Sequence, residues 1–278
     1  MSAKRILDIR REGPSLFCQH LKFLAGKQGW EWTIEHHSEY AAELLQNADM
    51  VKIEMSMSAD VISQTHIQPA LVRSTQCLDS MVFEDGKWYP RILFHEALAE
   101  ILVSSARDLD IRLPAFIIGV GPESRVVAAV FSQVGFGEIY LVGEDKALLH
   151  DEVQHLRRSH FGINFVELPV EELTIQSVSA SIIINTVDLS QDKVLLEDLS
   201  YFNFMKTNGY AMDLNLLPEH NLLLEEAARA DLKILQPSSL AAEITYIWLQ
   251  KLLGSSPLKV EELRESWKSF LKENSSSV

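Results

Sequence analysis

Cysteine is scarce. The 278 residues hold two, Cys18 and Cys77, with no CxxC pair. That excludes a disulfide framework and points to a reducing compartment and two buried thiols. Basic residues are also under-represented, 25 Lys and Arg against 39 Asp and Glu, for a formal net charge of −14. A chain so acidic repels nucleic-acid phosphates and anionic membranes, so neither is an expected partner. No uninterrupted apolar run approaches the roughly 20 residues that span a bilayer. The opening MSAKRILDIRREG has no apolar core of the about 7–15 residues that a secretory signal needs. The expected location is the cytoplasm. Metal-ligand spacing is missing too. His36 and His37 are adjacent, and His150, His155 and His160 suit a solvated helix face better than a metal, so no metal site is expected.

What is present is enough for two domains. The length exceeds one comfortable core, and 47% of the residues are hydrophobic. In the first hundred residues the pattern predicts helices over 15–25, stopped by Gly26, and over 41–46, with a strand over 50–55. A hairpin turns at Asp85-Gly86. A helical period over 95–106 then reads as a crossing between domains. From Ala115 onward strands alternate with helices. Strands are expected over 115–118, 138–142, 163–168, 181–184 and 210–214, with helices over 122–134 and 145–158. That alternation means parallel βαβ units with right-handed crossovers. Helices over 218–230 and 238–253 follow, and a last one begins at Pro257 with Ser256 as its N-cap. A short disordered tail is expected over 274–278. The five tryptophans read as core or domain-interface residues; an exposed Trp30–Trp32 pair would instead mark a partner surface.

Gly119-x-Gly121-x-x-Ser124, after a strand and at the opening of a helix, is the strongest motif. Glycines let a backbone turn tightly and approach a pyrophosphate at a helix N-terminus, and Ser124 is small enough for close packing. Two neighbours work against a phosphate. Pro122 removes a backbone N–H, and Glu123 puts a carboxylate in the first turn. Arg125 offsets that charge if it folds back. At the end of the next strand Glu144, followed by Asp145, would accept hydrogen bonds from a ribose 2′-OH and repel a 2′-phosphate. A bound cofactor would thus be NAD rather than NADP. Asp145 can equally serve as the cap of the following helix.

The order of segments resembles the shikimate dehydrogenase family over nearly the whole chain. Gly119-Val120-Gly121-Pro122-Glu123-Ser124-Arg125 is similar to that family's GAGGASR. Ile182-Ile183-Ile184-Asn185-Thr186 resembles its viNaT, and Asp213 to Pro218 with Asn221-Leu222-Leu223 resembles DlvYnPxxTpLL. Upstream, Leu78-Asp79-Ser80-Met81-Val82 and Asp85-Gly86-Lys87 are similar to vNTvv…dGk. The resemblance implies an α/β fold of two domains. Residues 1–100 with the C-terminal helices 238–278 would form a substrate-type α/β domain. Residues 101–237 would form a Rossmann-like, doubly wound parallel sheet, with a cleft between the two. It implies cofactor contacts at Gly119, Gly121, Ser124, Arg125, Glu144, Asn185 and Thr186, and a substrate cleft at Ser15, Ser56, Asp79 and Glu243.

The departures fall on the chemistry. The family's catalytic lysine position falls on Ser56 and its aspartate on Phe94, while its substrate-binding glutamine falls on Glu243. Phenylalanine relays no proton, and a lone serine is a poor general acid near neutral pH. Lys52 and His95 are the substitutes at hand, His95 more simply an ordinary polar residue opening the crossing helix. The expectation is a protein without the family's reaction. It would be a ligand-binding or regulatory module for a small molecule or another protein, monomeric or homodimeric. The alternative is an NAD(P)-dependent oxidoreductase with a different substrate.

Overall fold

The computed structural model describes residues 3–189, 193–199, 201–217 and 221–275. The expected helix start at Pro218 and residues 276–278 of the expected tail lie outside them. The chain divides into two compact units, Met1–Ala97 with Ala241–Val278, and Leu98–Leu240.

The first unit is a mixed sheet with helices. Its strands are β1 (Lys4–Ile9), β2 (Trp32–His37), β3 (Met50–Ile53), β4 (Ser80–Glu84) and β5 (Lys87–Arg91), in the order β2-β1-β3-β4-β5. The first three run parallel, and β4 and β5 are antiparallel. The β4–β5 hairpin turns through Asp85 and Gly86, both at positive φ, as the Asp-Gly signal requires. Helix α1 (Leu16–Gln28) follows β1, and the short α2 (Ser58–Ser63) and α3 (Ala70–Thr75) lie between β3 and β4. Ile6, Met50, Val82 and Leu21 pack with Leu93 and Trp248 into a core.

Several expectations for this unit need correcting. The residue pattern predicts neither β1 nor β2. Helix α1 runs through Gly26 and stops at Gly29, whose φ of 66° lets its N–H reach the carbonyls of Ala25 and Gly26. Residues 42–45 form a 3-10 turn, because Ala41 supplies no side-chain cap. The strand from Met50 ends at Ile53, and the chain enters a second 3-10 turn at Met55–Met57.

The second unit is an open, all-parallel sheet. Its strands are β6 (Ala115–Ile118), β7 (Glu138–Gly143), β8 (Asn164–Pro169), β9 (Ala180–Asn185), β10 (Met205–Asp213) and β11 (Lys233–Leu235). The order β11-β10-β9-β6-β7-β8 reverses direction between β6 and β9. Outside the C-terminal ends of strands at such a switch point lies the ligand crevice of doubly wound folds. Helices α4 (Leu93–Ser105), α5 (Pro122–Val134), α6 (Lys146–Ser159), α7 (Lys193–Leu199) and α8 (Leu222–Arg229) lie before and between the strands. Phe116, Tyr140, Ile183 and Phe204 centre its core. α9 (Pro237–Leu253) leads back to the first unit, and α10 (Val260–Ser275) closes the chain.

Ser256 is not the cap of α10. Its hydroxyl closes a local turn on Leu258, while Glu262 accepts from the Lys259 N–H at the true helix start. Asn274 and Ser275, assigned to the tail, belong to that helix. Trp248 and Trp267 are fully buried. Trp30 and Trp32 are half-buried against each other, ring centroids 4.5 Å apart, and so form no exposed pair.

Candidate functional site

Strand β6 delivers the chain into Gly119-Val120-Gly121 at the switch point, and α5 starts at once with Pro122. Gly119 sits at φ 107°, where a Cβ would collide with Thr186 and Val187, so the loop after β9 fixes this glycine by close approach. Gly121 sits at φ 154°, with open space where its Cβ would stand. The backbone there is exposed to an approaching ligand at a position that strongly favours glycine.

The hydrogen bonds of the turn are made within the protein. The Gly121 N–H donates to Ser124 Oγ at 3.0 Å, and the same hydroxyl donates to the Gly121 carbonyl at 2.7 Å. The Gly119 N–H is held by Val142 and the Arg125 N–H by Gly121. Proline at the first helical position has no N–H to offer. Glu123 stands in the first turn, where a carboxylate answers the positive pole of the helix. A phosphate about 5 Å from that carboxylate would be repelled by roughly 3 kcal/mol at an effective dielectric near 20. Arg125 makes a two-pronged ion pair with Glu152 of α6, at 2.5 and 2.7 Å.

Beside this turn lies a cavity of about 230 Å³. Val120, Val142, Leu148, Val170, Val187 and Leu195 make its walls apolar, and Glu144, Asp145 and Asp188 give it an acidic rim. Asp145 is committed to capping α6, its carboxylate accepting from the amides of Ala147 and Leu148. Glu144 is exposed on the rim. Asn185 spends its side chain on the backbone of Val187, and Thr186 donates to the Ile118 carbonyl at 2.7 Å. The structure thus gathers Gly119, Gly121, Ser124, Arg125, Glu144, Asn185 and Thr186 around β6, β7 and β9. Of these side chains, Ser124, Arg125, Asn185 and Thr186 hold the loops in place. Next to them the buried Asp213 receives Asn215 and Asn221 and fixes the exit of β10.

In the first unit Asp79 is buried. Its two oxygens accept from the amides of Leu93 and Phe94 at 2.9 and 2.7 Å, which caps α4 from a distance. Asp79→Ala is expected to lower stability by about 1–2 kcal/mol. A urea titration checks it, with Asp79→Asn recovering part of the loss. Phe94 is buried. His95, also buried, is pushed below the ordinary histidine value by desolvation, with Asp79 pulling the other way. Ser15 caps α1, accepting from the Cys18 N–H. Ser56 is exposed in the Met55–Met57 turn, and Glu243 is buried on α9.

One cluster escaped the sequence reading. Asp8 on β1 faces Lys52 on β3, which faces Ser80 on β4. Asp8 holds the Ser15 N–H through Oδ2 at 2.6 Å, and Lys52 Nζ donates to the Asp79 carbonyl at 3.2 Å. Asp8 Oδ1 and Ser80 Oγ are buried with no hydrogen-bond partner among the described residues. Cys18 lies against Asp8, and burial followed by that carboxylate pushes its thiol well above the ordinary range. The available signal was a carboxylate at an apolar-face position two residues after Ile6.

No family model matches the sequence, and no curated protein matches it either. Solved structures do. Quinate dehydrogenase from Corynebacterium glutamicum, in complex with NAD, superposes with a TM-score of 0.80 at 11% identity, over 96% of this chain and 100% of that one. Shikimate 5-dehydrogenase from Thermus thermophilus, in complex with NADP(H) and shikimate, gives 0.73 at 17% identity, over 98% and 100%. The Listeria monocytogenes enzyme, in complex with shikimate and NAD, gives 0.75 at 14% identity, over 95% of each chain. The chain has the shikimate dehydrogenase fold. In this fold the mixed N-terminal sheet precedes the six-stranded Rossmann-like sheet, as the motif order implied.

Proposed function

We propose that this protein uses the shikimate dehydrogenase fold to bind a ligand, as a regulatory or interaction module, and does not carry out that family's reaction. One observation carries the reading. The start of α4, where the resemblance sets an aspartate, presents the buried Phe94, and the nearby Asp79 has both oxygens occupied by backbone amides. The lysine position holds Ser56. An alcohol oxidation needs a group to take the hydroxyl proton as hydride leaves, and neither position has one.

The fit of a nicotinamide dinucleotide divides at the same turn. The cavity and Glu144 suit the base and the ribose diol of NAD, and Glu144 disfavours the 2′-phosphate of NADP. The phosphate turn does not suit the pyrophosphate, since the Gly121 amide is occupied, Pro122 has none, and Glu123 adds charge of the wrong sign.

A second reading rests on the Asp8–Lys52–Ser80 cluster. Lys52 stands between Asp8 and Ser80 in the strand register, and Asp8 Oδ1 and Ser80 Oγ have no hydrogen-bond partner among the described residues, so Lys52 is the group to which an active NAD-linked oxidoreductase with another substrate would turn.

Nicotinamide absorbance separates the readings. With shikimate and NADP, or quinate and NAD, the protein is expected to give no turnover above a buffer control. Protein-dependent turnover of either pair would overturn the first reading; NAD reduction with a different alcohol that disappears in Lys52→Met would establish the second.

A further inference from the structure

We propose that the Rossmann-like unit takes an unphosphorylated nucleoside, its base in the apolar cavity and its 2′,3′-diol on Glu144. This rests on the ligand-binding reading above and names the class of ligand. Turn and cavity contribute to it together.

Size comes first. At about 230 Å³ the cavity falls below the roughly 300–1,000 Å³ of sites for drug-sized ligands, and it suits one flat base. Seven aliphatic side chains, Ile118 among them, line it, which matches a heteroaromatic face rather than a charged group. Charge comes second. A diol donates two hydrogen bonds and carries no charge, so it pairs with a carboxylate without penalty. Asp145 is spent on the α6 amides, which leaves Glu144 on the rim to accept them.

The turn then filters by what hangs from the 5′ carbon. A helix start normally welcomes a phosphate through free amides and a positive pole. Here the Gly121 amide is closed by Ser124 Oγ, Pro122 lacks one, and Glu123 occupies the pole. Arg125, the near cation in the sequence, is held by Glu152 at 2.5 and 2.7 Å. Gly121 nevertheless keeps open space in front of its backbone. A small neutral or cationic 5′ substituent fits there, and a phosphate is refused.

Isothermal titration of the full chain with adenosine, 2′-deoxyadenosine, AMP and NAD tests this. Adenosine is expected to bind at least about tenfold more tightly than AMP or NAD. Loss of the 2′-hydroxyl, or Glu144→Gln, is expected to weaken adenosine about tenfold. A paired change, Pro122→Gly with Glu123→Ala, is expected to raise AMP affinity at least tenfold. AMP or NAD binding as tightly as adenosine would overturn the proposal, as would no adenosine binding at millimolar concentration. Should the paired variant not fold, the comparison of adenosine with AMP on the unaltered chain still decides. NAD binding without turnover would sink this inference and leave the non-catalytic reading intact, whereas turnover would sink that reading itself.

Discussion

Arg125→Ala is expected to destabilise the protein by about 3–5 kcal/mol, the range for stripping one partner from a buried ion pair. Glu152 is 5% exposed and its guanidinium partner 27%, so the carboxylate left behind has little water to turn to. Arg125→Lys should recover part of the loss, since an ammonium keeps the charge without the planar fork. Arg125→Met combined with Glu152→Leu should recover most of it, because replacing both charges removes the desolvation cost along with the attraction.

Urea titrations of these variants read the values directly. The same experiment bears on function, because an arginine in a phosphate turn has two possible employers. One held by Glu152 ties α5 to α6 and matters to folding. One serving a ligand could be removed with little effect on stability. A loss below about 1 kcal/mol in Arg125→Ala would mean that the pair with Glu152 does not hold in solution, and would return Arg125 to the ligand.

The second unit could be read from its sequence because its signals are local. Val127, Val130, Phe131 and Val134 follow the helical period between Pro122 and Gly135, and α5 occupies that interval, with Gly135 at φ 109°. The short apolar run at 115–118 is β6, residue for residue. The first unit resists such reading because its strands owe their place to partners far along the chain. β1 reads as a charged N-terminus, KRILDI, until Lys4 meets Asp49 and Arg5 meets Glu35. β2 is an edge strand with only partial burial, so its alternation is faint.

The same distinction runs through the site. Gly119, Gly121 and Glu144 could be found because a turn after a strand has a recognisable spelling. The engagement of Arg125 with a glutamate 27 positions later could not. Nor could the occupation of Asp79 by the amides of Leu93 and Phe94. In both cases the residue type advertises chemistry and the tertiary partner assigns it to structure. Lys52 differs in that its register neighbours Asp8 and Ser80 each keep an oxygen with no partner among the described residues.

Lowering the pH from 7.5 to 5 is expected to remove about 2 kcal/mol of stability through His20 alone. This histidine on α1 is fully buried, stacked on Trp267 at 3.8 Å with the Phe270 ring edge-on at 5.5 Å. Its Nε2 shares a hydrogen bond with Ser266, and Nδ1 has no partner among the described residues. Burial first, and the charge of Lys27 second, push its pKa down to about 3. The unfolded chain takes up the proton near the ordinary value of about 6.5, while the folded one resists until about 3. The stabilising contribution is therefore complete above about 6.5 and drains away as the pH falls toward 3, by about 1.4 kcal/mol per unit once below the unfolded pKa. Carboxylates held low by ion pairs, such as Glu35 beside Arg5, lose stability in the same direction but at lower pH. The measurement is thus a difference. Urea midpoints of the wild type and of His20→Leu are compared at pH 7.5 and 5, and the variant is expected to lack most of the loss between them. Parallel losses in the two proteins would show that His20 takes up its proton without unfolding, and that the Trp267 stack accommodates the imidazolium.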